Sequence, residues 1–391
     1  MRFGINCFHI NPNYSGGINS YTFGLLDGFV KSGRDHRFQI YVTSRNIHLF
    51  QKYSVLNNFE IILLPDSKIN KIFRIIAFAS LSESFYKFIC GILYDNICRL
   101  MDDKSDVIYI PTTFLFPYNF KKPTLVSLHD LQQNHFPQFF TKRELFNRKI
   151  HYGLTAKFAT YIQASSQFVK DDILNHYKNI PEEQVIVISQ GVNIDYFSQP
   201  CETSYLCDKY KIPEDFLLYP AQLWHHKNHI TLLKSLNLIY NERHQKIPFV
   251  MTGKNETASD NIFNYIKENK LDFIYHLDFV PLEDLRVLYK KAKFLVSPSL
   301  FEASGLTILE AAASGTPIIA SNIAPVLELA DNLKLNIFKA TDYKELADLI
   351  FTCWNDNNLI SEQSQFNLDH ISYYSWANVA AKYLASVEKF I

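Results

Sequence analysis

At 391 residues, 47% of them hydrophobic, the chain is too long for one compact domain and has enough apolar side chains to fill two cores. Its 39 basic and 39 acidic residues cancel, which removes a global electrostatic case for nucleic acid. The six cysteines, Cys7, Cys90, Cys98, Cys201, Cys207 and Cys353, form no CxxC pair, so neither a disulfide framework nor a zinc ribbon is expected.

Met1-Arg-Phe-Gly-Ile-Asn leads directly into strand-like sequence rather than a signal peptide, and no apolar run reaches bilayer length, so a cytoplasmic setting is expected. Phe3-Gly-Ile-Asn, Phe38-Gln-Ile-Tyr-Val, Glu60-Ile-Ile-Leu-Leu, Val107-Ile-Tyr-Ile, Thr124-Leu-Val-Ser-Leu, Tyr161-Ile-Gln-Ala and Val185-Ile-Val-Ile are expected as strands. Between the third and fourth, residues 68–99 are rich in aromatic and aliphatic side chains, with Lys68, Lys71 and Arg74 at the start. They fit either a buried helix pair with basic ends or an amphipathic helix lying on a membrane.

Near Gly191 the pattern lapses into a polar stretch that runs through Pro200 to Pro213, expected as a linker over 199–212. A second set of strands follows at Phe216-Leu-Leu-Tyr, Phe249-Val-Met-Thr, Ile274-Tyr-His-Leu, Phe294-Leu-Val-Ser and Pro317-Ile-Ile-Ala. Residues 373–391 read as a final helix whose Trp-containing apolar pattern needs a partner, expected to be the first domain. The alternation predicts an α/β chain of two Rossmann-like, doubly wound domains, 1–198 joined by 373–391, and 213–372, facing across a cleft.

The densest chemistry lies between Phe294 and Ser321. A buried strand is followed by Ser304-Gly305, a cap and tight turn. Leu306, Ile308, Leu309 and Ala312 then recur at helical spacing until Gly315, and a second strand begins at Pro317. Glu302 falls in the loop before this helix and Glu310 in its second turn. A helix start at the end of a sheet can hold phosphate, and a carboxylate a turn or two in can accept bonds from ribose hydroxyls. An ordinary strand-helix-strand unit with two surface glutamates gives the same spacing.

Several chemistries are absent from the sequence. There is no GxGxxG after the first strand, no GxxxxGK[ST], no GxSxG and no HExxH. No Asp-x-Asp occurs to hold Mg²⁺ or Mn²⁺.

The segment Pro298-Ser-Leu-Phe-Glu302-Ala-Ser-Gly-Leu-Thr-Ile-Leu-Glu310-Ala-Ala-Ala-Ser-Gly-Thr-Pro-Ile-Ile-Ala-Ser321 closely resembles the E-x7-E signature of the retaining GT-B glycosyltransferases of family four. Ser15-Gly16-Gly17, His129-Asp130, Ser165-Ser-Gln-Phe-Val-Lys-Asp-Asp, Gln190-Gly191-Val-Asn and Pro220-Ala-Gln222-Leu-Trp-His-His-Lys227-Asn-His resemble further segments of that family in the same order, the last a variant found in surface-polysaccharide mannosyltransferases. The resemblance implies a GT-B fold and a donor site. Lys227 would meet the diphosphate of a GDP- or UDP-sugar, Glu302 the sugar hydroxyls and Glu310 the ribose, while Ser304, Gly305 and Leu306 offer backbone amides. Gly16 and Gly17 would allow close backbone approach, and His129 would stand near the donor sugar. Gln222, Gly253 and Val280 complete the expected donor-binding set.

The chain departs from the family at two points: Gln222 occupies the usual Arg position, and Ala303-Ser304 replaces Gly-Phe. The run His225-His226-Lys227-Asn228-His229 can also be read as a metal site, a weaker reading because zinc sites need better-defined spacing. The expected activity is metal-independent transfer, with retention, of a hexose, taken as mannose, to a glycan or lipid-linked saccharide in surface-polysaccharide synthesis. No cofactor and no nucleic-acid partner are expected, and the setting is the cytoplasm or the inner face of the membrane. A non-catalytic nucleotide- or sugar-binding protein with a GT-B shell is the alternative, and an epimerase or a phosphorylase of similar form is a further one.

Overall fold

The computed structural model describes residues 1–11, 17–65 and 83–389. The chain forms two compact units, Met1–Gln190 with Trp376–Ile391, and Gly191–Ser375.

The first unit is built on seven parallel strands: β1 Arg2–Asn6, β2 Arg37–Val42, β3 Phe59–Leu63, β4 Val107–Ile110, β5 Thr124–Ser127, β6 Tyr161–Ala164 and β7 Val185–Val187. Their order in the sheet is β3-β2-β1-β4-β5-β6-β7. In register, Phe3 stands beside Phe38 and Ile5 beside Ile40. Central strands of such a sheet are covered on both faces, and so β4 and β5 are buried at every residue. On one face, Phe29 stacks on Phe38 at 4.9 Å and Phe38 on Phe59 at 4.7 Å between ring centres.

The helix Gly17–Ser32 covers that face together with the terminal helix Trp376–Glu388. Trp376, Val379, Ala380, Tyr383, Leu384 and Val387 form the buried stripe of the terminal helix at helical spacing. The two helices approach closely because Gly24 and Gly28 face Trp376. A Cβ at Gly24 would overlap the indole, and one at Gly28 would overlap the Trp376 carbonyl. The terminal segment thus packs on the first unit from Trp376 onward, three residues later than Tyr373. Ile371 and Tyr374 stay in the core of the second unit.

The second unit carries six parallel strands: β8 Leu217–Pro220, β9 Phe249–Thr252, β10 Ile274–His276, β11 Phe294–Ser297, β12 Ile318–Ser321 and β13 Asn336–Phe338. Their order is β10-β9-β8-β11-β12-β13. The strand β13 has no counterpart in the sequence reading, because three residues at a sheet edge, the first of them Asn336, carry too little apolar pattern.

The expected boundary also moves. Residues 191–198 and the expected linker 199–212 both belong to the second unit. Val192 donates its N–H to the Tyr374 carbonyl at 2.9 Å, and Phe197, Leu206 and Ile212 are buried in that unit's core. The polar residues that looked like a linker are used locally. Tyr205, Lys209 and Tyr210 all converge on the carboxylate of Asp284, itself 4% exposed. Burial would push the Asp284 carboxyl up, but these partners, Lys209 first, hold it below its ordinary value.

Of the segment 68–99, residues 68–82 lie outside the described residues. The rest belongs to the helix Glu83–Lys104, which buries Tyr94, Ile97, Cys98 and Met101 while Phe88 and Ile92 are 63% and 64% exposed. No helix among the described residues is long and apolar enough to cross a membrane.

Candidate functional site

In the second unit the sheet order reverses between β8 and β11. Ligands of open parallel sheets bind outside the carboxyl ends of the strands at such a switch point. Both connections that leave this point are the segments singled out in the sequence. After β8 the chain passes Gln222 and enters a short turn, His225–Lys227. After β11 it passes Ser299 and Glu302 and enters the helix Leu306–Ser314.

The cap of that helix is Gly305 and not Ser304. Its φ of 66° is left-handed, and a Cβ there would come within 2.8 Å of Leu329. No side chain caps the helix start, so its first N–H groups are available to an anion. Leu306 opens the first turn, and Gly315 closes the helix with a φ of 75°.

Lys227 and Glu302 form an ion pair, Nζ to Oε1, at 2.6 Å. Ser299 donates its hydroxyl to the same Oε1 at 2.6 Å. The loop that carries Glu302 is clamped from three sides. Asn228, held in a left-handed conformation, donates its amide to the Pro298 carbonyl at 2.9 Å. Leu300 donates its N–H to the His226 carbonyl at 2.8 Å, and Ser321 its hydroxyl to the Ser299 carbonyl at 2.6 Å. Burial alone would raise the Glu302 carboxyl. The charge of Lys227 and the bonds from Lys227 and Ser299 outweigh burial and hold it below its ordinary range, so it is a carboxylate.

Glu310 has the opposite environment. Burial pushes its carboxyl up to about 7, and the hydroxyl of Tyr289, donating to Oε2 at 2.7 Å, only partly opposes this. Two carboxyls eight positions apart thus differ near neutral pH, Glu302 fixed as an anion and Glu310 poised between its two charge states.

The remaining expected residues take several places. Gln222 accepts from the indole N–H of Trp224 at 2.8 Å, so it braces that ring instead of supplying a cation. Gly253 has a φ of 123° and packs so closely that a Cβ would lie 2.6 Å from the Ala221 carbonyl oxygen. Its own carbonyl accepts from His276 at 2.8 Å. Val280 is 6% exposed in the hydrophobic core, which leaves only its backbone to meet a ligand. Ser304 lies in the loop ahead of the cap. The His225–His229 run does not assemble into a metal cage: His229 is buried against the Tyr219 ring at 4.8 Å, while His225 is exposed. Among the described residues no three His, Cys, Asp or Glu side chains are grouped as a metal would need.

In the first unit the sheet order reverses between β1 and β4. His129 follows β5, next to β4. Its Nε2 lies 3.0 Å from the Pro111 carbonyl oxygen, which can only accept, so the ring hydrogen sits on Nε2 and Nδ1 carries the lone pair. Burial lowers the His129 pKa, against the Pro111 bond and Asp130, and the ring is a neutral acceptor at pH 7. The Tyr21 ring meets it edge-on at 4.8 Å. Tyr21, Tyr109 and Tyr383 converge with Ser127 in a buried hydroxyl cluster behind it. Gly16 lies outside the described residues. Gly17 is the first residue of its helix, and a Cβ there would meet nothing within 4 Å.

Ser299, Tyr289 and Tyr219 are the polar groups the sequence reading did not assign. Ser299 stands inside the recognised segment, but its spacing carries no sign that its hydroxyl turns toward Glu302. The tyrosines come from other strands and helices, and only the fold brings them in.

The family model described as Glycosyl transferases group 1 matches residues 208–366, and that described as Glycosyltransferase Family 4 matches residues 15–196. Similar proteins include the O-antigen chain mannosyltransferase B of Escherichia coli, 25% identical over 281 residues, which cover 71% of this chain and 72% of that protein. The O-antigen chain mannosyltransferase RfbU of Salmonella typhimurium is 26% identical over 257 residues, 65% of this chain and 66% of that protein. Among solved structures, Anabaena Alr3699/HepE in complex with UDP and glucose matches over 100% of both chains with a TM-score of 0.73 at 17% identity, a likeness of fold.

Proposed function

We propose that this chain, which belongs to the group 1 glycosyltransferases of GT-B fold, moves a hexose from a nucleotide diphosphate sugar to a hydroxyl of a glycan or lipid-linked glycan, with retention and without a required metal. The observation that carries this reading is the Lys227–Glu302 pair beside an uncapped helix start, with Glu310 one turn further in. Lys227 and the N–H groups of Leu306 and Thr307 would face the diphosphate, whose charge grows as the bond to the sugar breaks. Glu302 would accept from sugar hydroxyls and Glu310 from the ribose diol. His129, after β5 in the first unit, carries a neutral Nδ1 that can accept a hydrogen bond from a hydroxyl.

The mannosyltransferase relatives support mannose as the hexose. GDP or UDP is proposed as its carrier. No carboxylate is assigned as a nucleophile, and front-face displacement is the route that retention then requires. The exposed Phe88 and Ile92 support a peripheral contact with a lipid surface, where a lipid-linked acceptor would be held.

The test is a panel of GDP- and UDP-hexoses incubated with the purified protein. Slow hydrolysis of one donor, accelerated by a saccharide acceptor, is expected. Tight binding of one donor with no turnover under any condition would identify a binding protein instead.

A further inference from the structure

Behind the Lys227–Glu302 pair runs a chain of buried hydroxyls. Tyr219 and Ser299 are both 0% exposed, and their oxygens are 2.7 Å apart. Ser299 has one hydroxyl hydrogen, and it is directed at Oε1 of Glu302. The hydrogen between Tyr219 and Ser299 therefore comes from Tyr219. The direction of the chain is fixed: Tyr219 donates to Ser299, Ser299 donates to Glu302, and Lys227 donates to the same carboxylate oxygen from the opposite end.

The phenol stays protonated, because burial first and the charge of Glu302 second raise its pKa well above the ordinary value. The neighbouring His229 is neutral, pushed down to about 3 by burial and by the charge of Lys227. The buried end of the chain thus carries no charge that could compete with Lys227. Both bonds to the carboxylate land on Oε1. Oε2 is the oxygen left to a ligand, and turning the carboxylate plane out of this orientation would break both bonds.

We infer that Ser299 and Tyr219 are positioning residues for the donor's hexose, acting through Glu302. They hold one carboxylate oxygen inward so that the other meets a sugar hydroxyl at a fixed angle. The inference rests on the donor-site reading above and adds to it a division of labour. The nucleotide is held by the helix start, Lys227 and Glu310, and the hexose is oriented by a carboxylate whose rotamer is set from the buried side. Each bond in the chain polarises the next, so loss of the outermost hydroxyl is felt at Glu302, but less than loss of Ser299.

The experiment compares wild type with Ser299→Ala, Ser299→Thr and Tyr219→Phe in two measurements: affinity for GDP and UDP by calorimetry, and kcat/KM for the nucleotide hexose that the wild type turns over. For Ser299→Ala, kcat/KM should fall about 10- to 100-fold, since a hydrogen bond to a charged acceptor is lost. The nucleotide affinity should stay within roughly twofold of wild type, because the base, ribose and diphosphate do not touch Glu302 in this arrangement. Ser299→Thr, which keeps the hydroxyl, should restore most of the activity. Tyr219→Phe should lose a smaller factor, about 3- to 10-fold, in kcat/KM with the same unchanged nucleotide affinity.

Wild-type kcat/KM in Ser299→Ala, or parallel loss of nucleotide affinity and hexose turnover in both hydroxyl variants, would overturn the positioning role while leaving the donor site in place. Failure of the wild type to bind either nucleotide would overturn the donor-site reading itself, and the positioning role with it.

Discussion

The ammonium of Lys227 and Oε1 of Glu302 lie 2.6 Å apart although 75 positions separate them in the chain. The two residues sit on the connections that follow β8 and β11, and these strands are neighbours at the point where the sheet order reverses. The pairing ties the two halves of the site into one electrostatic unit. Glu302 owes its charge state to Lys227, and each side chain holds the other in position.

Lys227→Ala should therefore do two things. Turnover should fall by about two to three orders of magnitude, as one preorganised charge at a developing oxyanion is removed. Stability should also fall, by about 2 kcal/mol, because Glu302 is left mostly buried without its cation. Lys227→Ala with Glu302→Gln should lose less stability than the two single variants added together, measured by urea unfolding. Additive losses would show that the pair is not coupled.

Glu302 and Glu310 should give opposite pH dependences of stability. The Glu302 carboxyl is held below its ordinary 4.5, so its contribution is present above that value and is lost as pH falls through the lowered one. The Glu310 carboxyl is raised to about 7, so its contribution is complete below 4.5 and is lost as pH rises through 7. Glu310→Gln should flatten the fall in Tm between pH 5 and 8. At pH 8 the variant should be more stable than wild type by up to about 3 kcal/mol. An unchanged pH profile would place Glu310 in a more solvated setting. In the donor-site reading the same variant binds nucleotide more weakly, since a ribose diol donates better to a carboxylate than to an amide.

The glycine pair beneath Trp376 sets a separate stability test. Gly28→Ala puts a methyl group into the Trp376 carbonyl and should cost about 1–3 kcal/mol, seen as a fall of several degrees in Tm. Truncation after Ser375 removes the buried stripe from Trp376 to Val387 and uncovers Leu25, Leu26 and Phe29 on the first helix. The first unit should then lose cooperative unfolding. A truncated protein with native Tm would show that the terminal helix is dispensable to it.

Much of the fold is legible in the sequence for one physical reason. Strands covered on both faces must be apolar throughout, and runs such as Val107–Ile110 and Phe294–Ser297 declare themselves without any alternation. The boundary near 190 is not legible in this way. Residues 199–212 look like a linker because their polar side chains are visible and their use is not: Tyr205, Lys209 and Tyr210 bind a single aspartate 74 or more positions away. The recognised segment likewise locates Glu302 and Glu310 but not their charge states. Those depend on Lys227 and Ser299 in one case and on burial beside Tyr289 in the other. For Val280 the sequence does not show that the side chain turns into the core and that only the backbone is left to meet a ligand.

Metal removal provides an independent check on the proposed chemistry. The sequence has no Asp-x-Asp, and the described residues group no three metal-ligating side chains. EDTA should leave turnover of the preferred donor unchanged. Abolition by EDTA with rescue by Mn²⁺ would overturn the metal-free mechanism.

The most direct measurement is a crystal structure of the protein with GDP or UDP bound. The ribose should lie against Glu310 and the diphosphate against Lys227 and the N–H groups of Leu306 and Thr307. A nucleotide bound elsewhere would contradict the account, for example in the groove of about 400 Å³ that Arg37, Gln39 and Lys104 line at the opposite, amino ends of β1 to β3.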